Sequence, residues 1–161
     1  MSRAPAVRRA EDLLMTSCVV VTAMTDDGPI GCLVASVMPV GYRTGTVVVA
    51  LTEGSRTERG LRETPVLGLT VLSAHDIATA RTFTQPCPRP ADRFDGIEWS
   101  LGTLGVPVLS SGIATVEARV TDRYRAAGCA LLVAAVAARH GDPVGDADPM
   151  TISDARRAGL E

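Results

Sequence analysis

The chain has 161 residues, of which 46% are hydrophobic and 21% are charged, and its formal net charge at neutral pH is −2. A chain of this length is typical of one globular domain with one core, so we expect a single domain over residues 1–161. The 16 basic residues are balanced by 18 acidic ones. No large field of one sign is therefore expected, which argues against nucleic acid as a partner.

The N-terminal segment predicts neither a secretory signal nor a membrane anchor. Its basic residues are followed by Glu11 and Asp12 instead of an apolar run, and the longest apolar runs, such as 47–51, are far too short to span a bilayer. Within residues 1–15, apolar residues recur at helical spacing from position 6 onward, which predicts a short amphipathic helix. We therefore expect a cytoplasmic protein that does not bind membranes.

The cysteines and histidines do not indicate a metal site. The two histidines lie far apart in sequence and have no cysteine or histidine at metal-ligand spacing beside them. The cysteines form no CxxC pair, and three of them lie in apolar strands, so packed thiols are favoured over a disulfide or a zinc site. These residues are Cys18, Cys32, Cys87, Cys129, His75 and His140.

Runs of β-branched and other apolar residues predict six strands, joined by short helices. A turn at Asp27-Gly28-Pro29 makes a hairpin of the first two strands, and Pro65 ends the first helix, which begins near Gly54 or Ser55. Residues 84–106 predict a loop, and 141–161 a loop with a polar tail. This pattern favours a mainly β, mostly antiparallel barrel over a doubly wound sheet. The strands span 18–24, 30–37, 46–52, 66–72, 113–122 and 129–138, and the helices 55–63 and 74–83.

Four segments resemble, in their order and spacing, the flavin-reductase family of FMN-binding split barrels. They read TSCVVVTAMTDDGPIGCLVASV, GSRTERGLR, DRFDGIEW and GVPVLSSGIATVEARV, and the resemblance covers about residues 8–138. It implies a split β-barrel that forms a homodimer, with FMN or FAD in a groove near the subunit interface and NADH or NADPH as the reductant. It also implies a separate flavin-dependent monooxygenase as a partner. The high hydrophobic fraction likewise favours a dimer.

Ser55, Arg56 and Thr57 are the first candidates for cofactor binding. They stand at a predicted helix start, where unpaired backbone N–H groups and the positive end of the helix dipole attract an anion. Two hydroxyls and a guanidinium can hydrogen-bond the oxygens of a flavin phosphate. The alternative interpretation is that Ser55 is only an N-cap and Arg56 a solvated charge.

The resemblance adds Val34, Ala35 and Ser36, whose backbone would contact the edge of the isoalloxazine ring. Ser36 keeps one hydroxyl of the family pattern in this strand. Leu33, Ala35 and Val37 stand where the family usually has Thr, Ser and Phe, so the side-chain contacts of those residues are lost.

The chain departs from the family pattern in three further places. Ala127-Gly128-Cys129 replaces the G-D-H sequence whose histidine lies close to the flavin, and we interpret Cys129 as a packed thiol. No tyrosine follows Pro149, and Thr44-Gly45 stands in place of a Pro-Pro pair. No catalytic residue can therefore be assigned from the sequence.

Three functions from different classes remain open at this point. An NAD(P)H:flavin oxidoreductase needs only to align two cofactors, because the hydride passes between them without a protein acid or base. A repurposed barrel without flavin would bind another small apolar molecule, as the apolar residues at 33, 35 and 37 indicate. A non-catalytic flavin carrier or structural dimer is the third. Flavin colour, and NADH consumption with added FMN, discriminate among them.

Overall fold

A computed structural model describes residues 14, 17–41, 43–141 and 148–160. In it, a seven-stranded sheet curls into a half-barrel, in the order β2-β1-β5-β8-β9-β4-β3, and β6 pairs with β7 in a separate ribbon. All of the strand pairings in these ranges are antiparallel. The predicted fold class, a mainly β and mostly antiparallel split barrel, is confirmed.

The described residues form nine strands, which vary from three to thirteen residues in length. They are β1 (Val19–Thr25), β2 (Gly28–Val34), β3 (Val37–Pro39), β4 (Thr46–Thr52), β5 (Val66–Val71), β6 (Trp99–Leu101), β7 (Pro107–Leu109), β8 (Ala114–Ala126) and β9 (Cys129–His140). The helices are α1 (Arg56–Glu63), α2 (Ile77–Thr84), a 3₁₀ helix (Pro90–Phe94) and α3 (Ile152–Arg157). None of these helices is long and apolar enough to cross a lipid bilayer.

All six predicted strands are present, but the prediction of a six-stranded barrel is wrong. The strands β3, β6 and β7 were missed because each has three residues, too few to show an alternating pattern. The predicted strand 30–37 ends at Val34, and residues 35 and 36 separate it from β3. Strand β8 extends past its predicted end at 122 because its hairpin with β9 continues the pairing to Ala126 and Cys129, and β9 extends past 138 because His140 still pairs with Thr115.

The two predicted helices between strands are present with shifted ends. Ser55 is the N-cap of α1, and its hydroxyl accepts a hydrogen bond from the Glu58 N–H at 3.3 Å. Helix α2 begins three residues later than predicted because the Asp76 carboxylate accepts from the Ser73 N–H at 2.7 Å and closes a turn there. The predicted helix over residues 1–15 lies outside the described residues except for Leu14.

The prediction that residues 141–161 end in a loop and a polar tail is wrong for the described part, 148–160. Thr151 and Asp154 form a capping box that starts α3. The backbone of Met150 bonds to both Leu72 and Cys18, so this segment lies along the sheet. The polar residues of this segment did not indicate a helix, yet Ala155 within α3 and the flanking Met150 and Leu160 are buried.

The large sheet separates two hydrophobic clusters. One cluster fills the barrel and includes Val19 and Val21 of β1, whereas the alternate residue Val20 belongs to the second cluster, beneath α2 and α3. This alternation follows from the two-residue repeat of a strand. At Gly31 of β2 a Cβ would lie 2.8 Å from the Val21 carbonyl oxygen and 3.0 Å from the Phe83 ring, so a glycine lets α2 pack close against β2.

Candidate functional site

A groove of about 560 Å³ lies where the end of β2, the start of α1 and the loop after α2 meet. Its size falls within the range of small-molecule sites in proteins. All six residues that the sequence analysis proposed for cofactor binding line this one groove. The lining residues are Ile30, Gly31, Cys32, Leu33, Val34, Ala35, Ser36, Ala50, Leu51, Thr52, Ser55, Arg56, Thr57, Pro86, Cys87, Arg93 and Cys129.

The start of α1 gives the groove an end that attracts anions. The first backbone N–H groups of a helix have no partner within the helix and carry its partial positive charge. The buried carboxylate of Glu58 holds this turn in place, because it accepts from the Gly54 N–H at 3.0 Å and from Arg62 Nε at 2.7 Å. Hydrogen bonding from Arg62 lowers the pKa of Glu58, so this carboxylate is ionised at neutral pH.

The three side chains at this helix start are engaged in different ways. The Ser55 hydroxyl accepts the capping bond and still has its proton to donate. Arg56 is exposed, and its Nη1 donates to the Cys87 carbonyl at 2.5 Å. Thr57 is only 4% exposed, and its side chain hydrogen-bonds the Cys32 thiol. Ser55 and Arg56 can therefore bind a ligand directly, whereas the Thr57 side chain helps to form the wall.

Three of the four cysteines, Cys32, Cys87 and Cys129, line the groove, and all four are free thiols. Burial raises the pKa of the Cys32 thiol, and the hydrogen bond from Thr57 and the charge of Arg93 offset this only in part. Cys32 is thus a protonated, unreactive thiol at neutral pH. The sequence predicted that the cysteines are buried, packed thiols. Only Cys18 is fully buried, and Cys32, Cys87 and Cys129 are partly exposed.

The connection from β2 to β3 also lines the groove. Val34 is the last residue of β2 to pair with β1. The strand registers of the described chain include neither Ala35 nor Ser36, although the Ser36 carbonyl accepts from the Ala50 N–H at 2.9 Å. The backbone N–H groups of these two residues are therefore open to a ligand.

The apolar residues at 33, 35 and 37 do not form one lining. Leu33 and Ala35 line the groove, but Val37 lies in β3 and packs against the barrel core. Leu33 also packs against the cluster beneath α2. The enlarged apolar cavity that a repurposed barrel would need is thus not formed by these three side chains.

Arg93 is a lining residue that the sequence analysis missed. It projects from the 3₁₀ helix, and its Nη1 donates to the carbonyls of Gly31 at 2.9 Å and Phe83 at 3.3 Å. Its Nη2 donates to the Gln85 carbonyl at 2.6 Å. The contact with Gly31 spans 62 residues of sequence, and no local pattern around residue 93 could indicate it.

The chemistry of the lining fits a ligand with an anionic group at one end and a planar polar edge at the other. The described lining residues include no carboxylate and no imidazole, so general acid–base catalysis by such a group is not available there. Two guanidiniums, helix N–H groups and an exposed strand end can instead bind and orient a ligand. A flavin mononucleotide has this combination of phosphate and polar ring edge.

Comparison with protein families and curated proteins gives consistent results. The family described as "Flavin reductase like domain" matches residues 12–161. The FMN reductase (NADH) SmoA of Agrobacterium fabrum is 33% identical over 141 residues, which cover 85% of this chain and 78% of that protein. The NADPH-flavin oxidoreductase of Streptomyces viridifaciens is 33% identical over 111 residues, covering 68% of this chain and 57% of that protein.

Solved structures give the same fold. The styrene monooxygenase flavin reductase of Pseudomonas putida S12 superposes with a TM-score of 0.73 and 24% identity, and the match covers 89% of each chain. The split-barrel fold inferred from the sequence therefore agrees with this neighbour.

Proposed function

Since the chain belongs to the family of flavin reductase-like domains, we propose that it is an NAD(P)H-dependent flavin reductase that supplies reduced FMN or FAD. The observation that carries this proposal is the groove, in which a helix start with Ser55 and Arg56 faces the open strand end at Ala35 and Ser36. The relatives named as NADH- and NADPH-dependent flavin reductases support it.

In this function the residues of the groove bind and orient the flavin. Ser55, Arg56 and the first N–H groups of α1, including that of Thr57, hold the phosphate, and the backbone of Val34, Ala35 and Ser36 holds the ring edge. Once bound, the flavin supplies the redox chemistry and accepts a hydride from NADH or NADPH. Because that transfer needs no protein acid or base, a lining without carboxylate or imidazole is compatible with it.

The test is anaerobic oxidation of NADH or NADPH by the purified protein with added FMN, FAD or riboflavin, measured against the same mixture without protein. We expect protein-dependent loss of the nicotinamide absorbance together with bleaching of the flavin. Protein that binds no flavin and leaves both spectra unchanged would contradict the proposal and favour the repurposed barrel. Flavin binding without nicotinamide oxidation would favour a flavin carrier.

A homodimer is part of the proposal, and it is supported by an apolar surface on the outside of the barrel. The strand registers place Met38 beside Val48, Val48 beside Val133, and Leu131 beside Tyr124 on the outer face of β3, β4, β9 and β8. Met38 and Tyr124 are each 59% exposed. An exposed apolar face of this kind is typical of a protein–protein interface.

The position of this face supports a groove that is completed by a second copy. Thr52 and Cys129 are paired across β4 and β9, and both line the groove. Thr52 and Cys129 alternate with the core residues Leu51 and Ala130, so their side chains lie on the outer face of the sheet. The apolar surface lies on this same face.

Two further parts of the proposal are the protein that accepts the reduced flavin and the compartment in which the reaction takes place. The resemblance to a reductase from a styrene monooxygenase system supports a flavin-dependent monooxygenase as the acceptor of the reduced flavin. The four free cysteines support a reducing compartment, the cytoplasm, where nicotinamide cofactors are also available.

A further inference from the structure

Arg93 is a fixed cation in the wall of the groove. Its guanidinium donates to three backbone carbonyls, those of Gly31, Phe83 and Gln85, which belong to β2, the end of α2 and the loop that follows. A guanidinium has five N–H groups in a rigid plane. The three bonds use three of them, so two remain for a ligand while the side chain is already immobilised.

No carboxylate of the described residues neutralises the charge of Arg93. Within the described residues, no carboxylate lies within ion-pair distance of its guanidinium, whereas Arg62, Arg125 and Arg157 each pair with one. The described lining of the groove contains no carboxylate either. Among the described residues, the groups that stabilise this half-buried cation are carbonyl dipoles, which leaves its field to act on whatever occupies the groove.

The contacts of Arg93 locate it at the anion-attracting end of the groove. Gly31, which it bonds, precedes Cys32, and the Cys32 thiol is hydrogen-bonded to Thr57 in the first turn of α1. The charge of Arg93 is also felt at that thiol. Arg56, the first residue of α1, bonds the Cys87 carbonyl, two residues after Gln85. The two arginines therefore bond the same loop, and both line the groove.

We propose that Arg93, more than Arg56, is the residue that recognises the phosphate of the bound flavin. This inference rests on the proposed flavin-reductase function and assigns a binding role to a residue outside the predicted set. Arg56 is exposed, so water and salt screen its charge, and its guanidinium bonds the Cys87 carbonyl where that of Arg93 bonds three carbonyls. Arg93 is half-buried and held in place before the ligand arrives, so its contact with a phosphate costs little conformational entropy.

The test compares the binding of FMN and riboflavin, which share the ring but differ by the phosphate, to Arg93→Gln, Arg93→Lys and Arg56→Ala. We expect Arg93→Gln to weaken FMN binding by roughly tenfold to a hundredfold while riboflavin binding changes by less than about twofold. Arg56→Ala should weaken FMN binding by about fivefold or less. Arg93→Lys keeps the charge and should keep part of the preference for FMN. Dissociation constants come from titrations of flavin fluorescence.

Each outcome separates the inference from the function on which it rests. Equal losses of FMN and riboflavin in Arg93→Gln would show that Arg93 only holds the wall, and would overturn the inference while leaving flavin binding intact. If Arg93→Gln does not fold, as judged by its circular dichroism, Arg93→Lys decides, and a folded lysine variant with no preference for FMN overturns the inference. If the unmutated protein binds neither ligand, the proposed function and the inference both fall.

Discussion

Glu117 is a fully buried carboxylate that ties a turn to the sheet. It lies in β8 and accepts hydrogen bonds from the Thr103 and Leu104 N–H groups, both at 2.8 Å, and pairs with His140 Nε2 at 2.5 Å. Gly102 makes this possible, since a Cβ there would lie 2.4 Å from the carboxylate. One side chain therefore joins the turn between β6 and β7 to β8, and neither this carboxylate nor the turn residues that it bonds line the groove.

We expect Glu117→Gln to lower the free energy of unfolding by about 1–3 kcal/mol at neutral pH. Glutamine has one acceptor oxygen in place of two, so at least one of the three donors is left without its partner. Urea denaturation of the variant measures the loss. The control is the substitution Glu98→Gln. Glu98 is exposed and immediately precedes β6 of the same ribbon, so this substitution should change the free energy of unfolding by less than about 0.5 kcal/mol.

The same carboxylate predicts a pH dependence. Burial alone would raise the pKa of Glu117, but hydrogen bonds from His140 and the two backbone N–H groups outweigh it, and the pKa lies below that of an ordinary glutamic acid. A carboxyl whose pKa is lower in the folded state stabilises the fold above its unfolded pKa and loses that contribution as the pH falls through the folded value. The stability difference between wild type and Glu117→Gln should therefore shrink on acidification. A constant difference across the acidic range would contradict this.

Single residues were predictable from the sequence only where their partner is close along the chain. Ser55 was assigned as an N-cap because its partner is three residues away. Arg93 and Glu117 bond residues that are 8 to 62 positions distant, and the chemistry of an arginine or a glutamate alone does not indicate which element it reaches.

At the level of elements, α3 is a short helix that is stabilised by packing and not by its own length. Six residues are too few for a stable isolated helix. Met150, which is 0% exposed, precedes it and packs with Phe83 and Phe94 in the cluster beneath α2. The helix is thus held where the sheet and α2 already form an apolar surface.

We expect Met150→Ala to lower the free energy of unfolding by about 2–5 kcal/mol, because it removes a fully buried side chain and leaves a cavity. Thermal or urea denaturation measures this. Leu101→Ala is the matched control, since Leu101 is 61% exposed and its truncation should cost little. Similar small losses in both variants would show that the C-terminal segment does not dock as described.

The predicted elements agree with the structure where a repeat has room to appear. The strand 46–52 matches β4 residue for residue, and the turn at Gly28 joins β1 to β2. Strands of three residues and a six-residue helix depend on contacts with other elements: β3 pairs with β4, β6 pairs with β7, and α3 packs on the cluster beneath α2. Their sequences carry no periodicity of their own, so only the tertiary structure identifies them.

For the whole molecule, we predict that a charge placed on the apolar outer face of β3, β4, β9 and β8 disrupts the dimer. Val133 lies on this face between Val48 of β4 and Asp122 of β8, so a glutamate there would also stand beside a like charge. Val133→Glu should give the mass of a monomer by light scattering at micromolar concentration, where wild type gives a dimer, because an unpaired carboxylate would be buried at the interface. Ser100→Glu, an exposed change in the β6–β7 ribbon, should leave the dimer intact. A wild-type monomer would contradict the prediction.

The groove described above has no phenylalanine, tyrosine or tryptophan among its described lining residues. An aromatic side chain stacked on a heterocyclic ring contributes about 1–3 kcal/mol to binding, and that difference appears mainly in the rate of dissociation. A flavin held by its phosphate and by backbone groups alone therefore leaves roughly tenfold to a hundredfold sooner than one clamped between rings. Such a lining suits a protein in which flavin is a substrate that arrives oxidised and departs reduced. Rapid mixing with an excess of a competing flavin would measure that residence time.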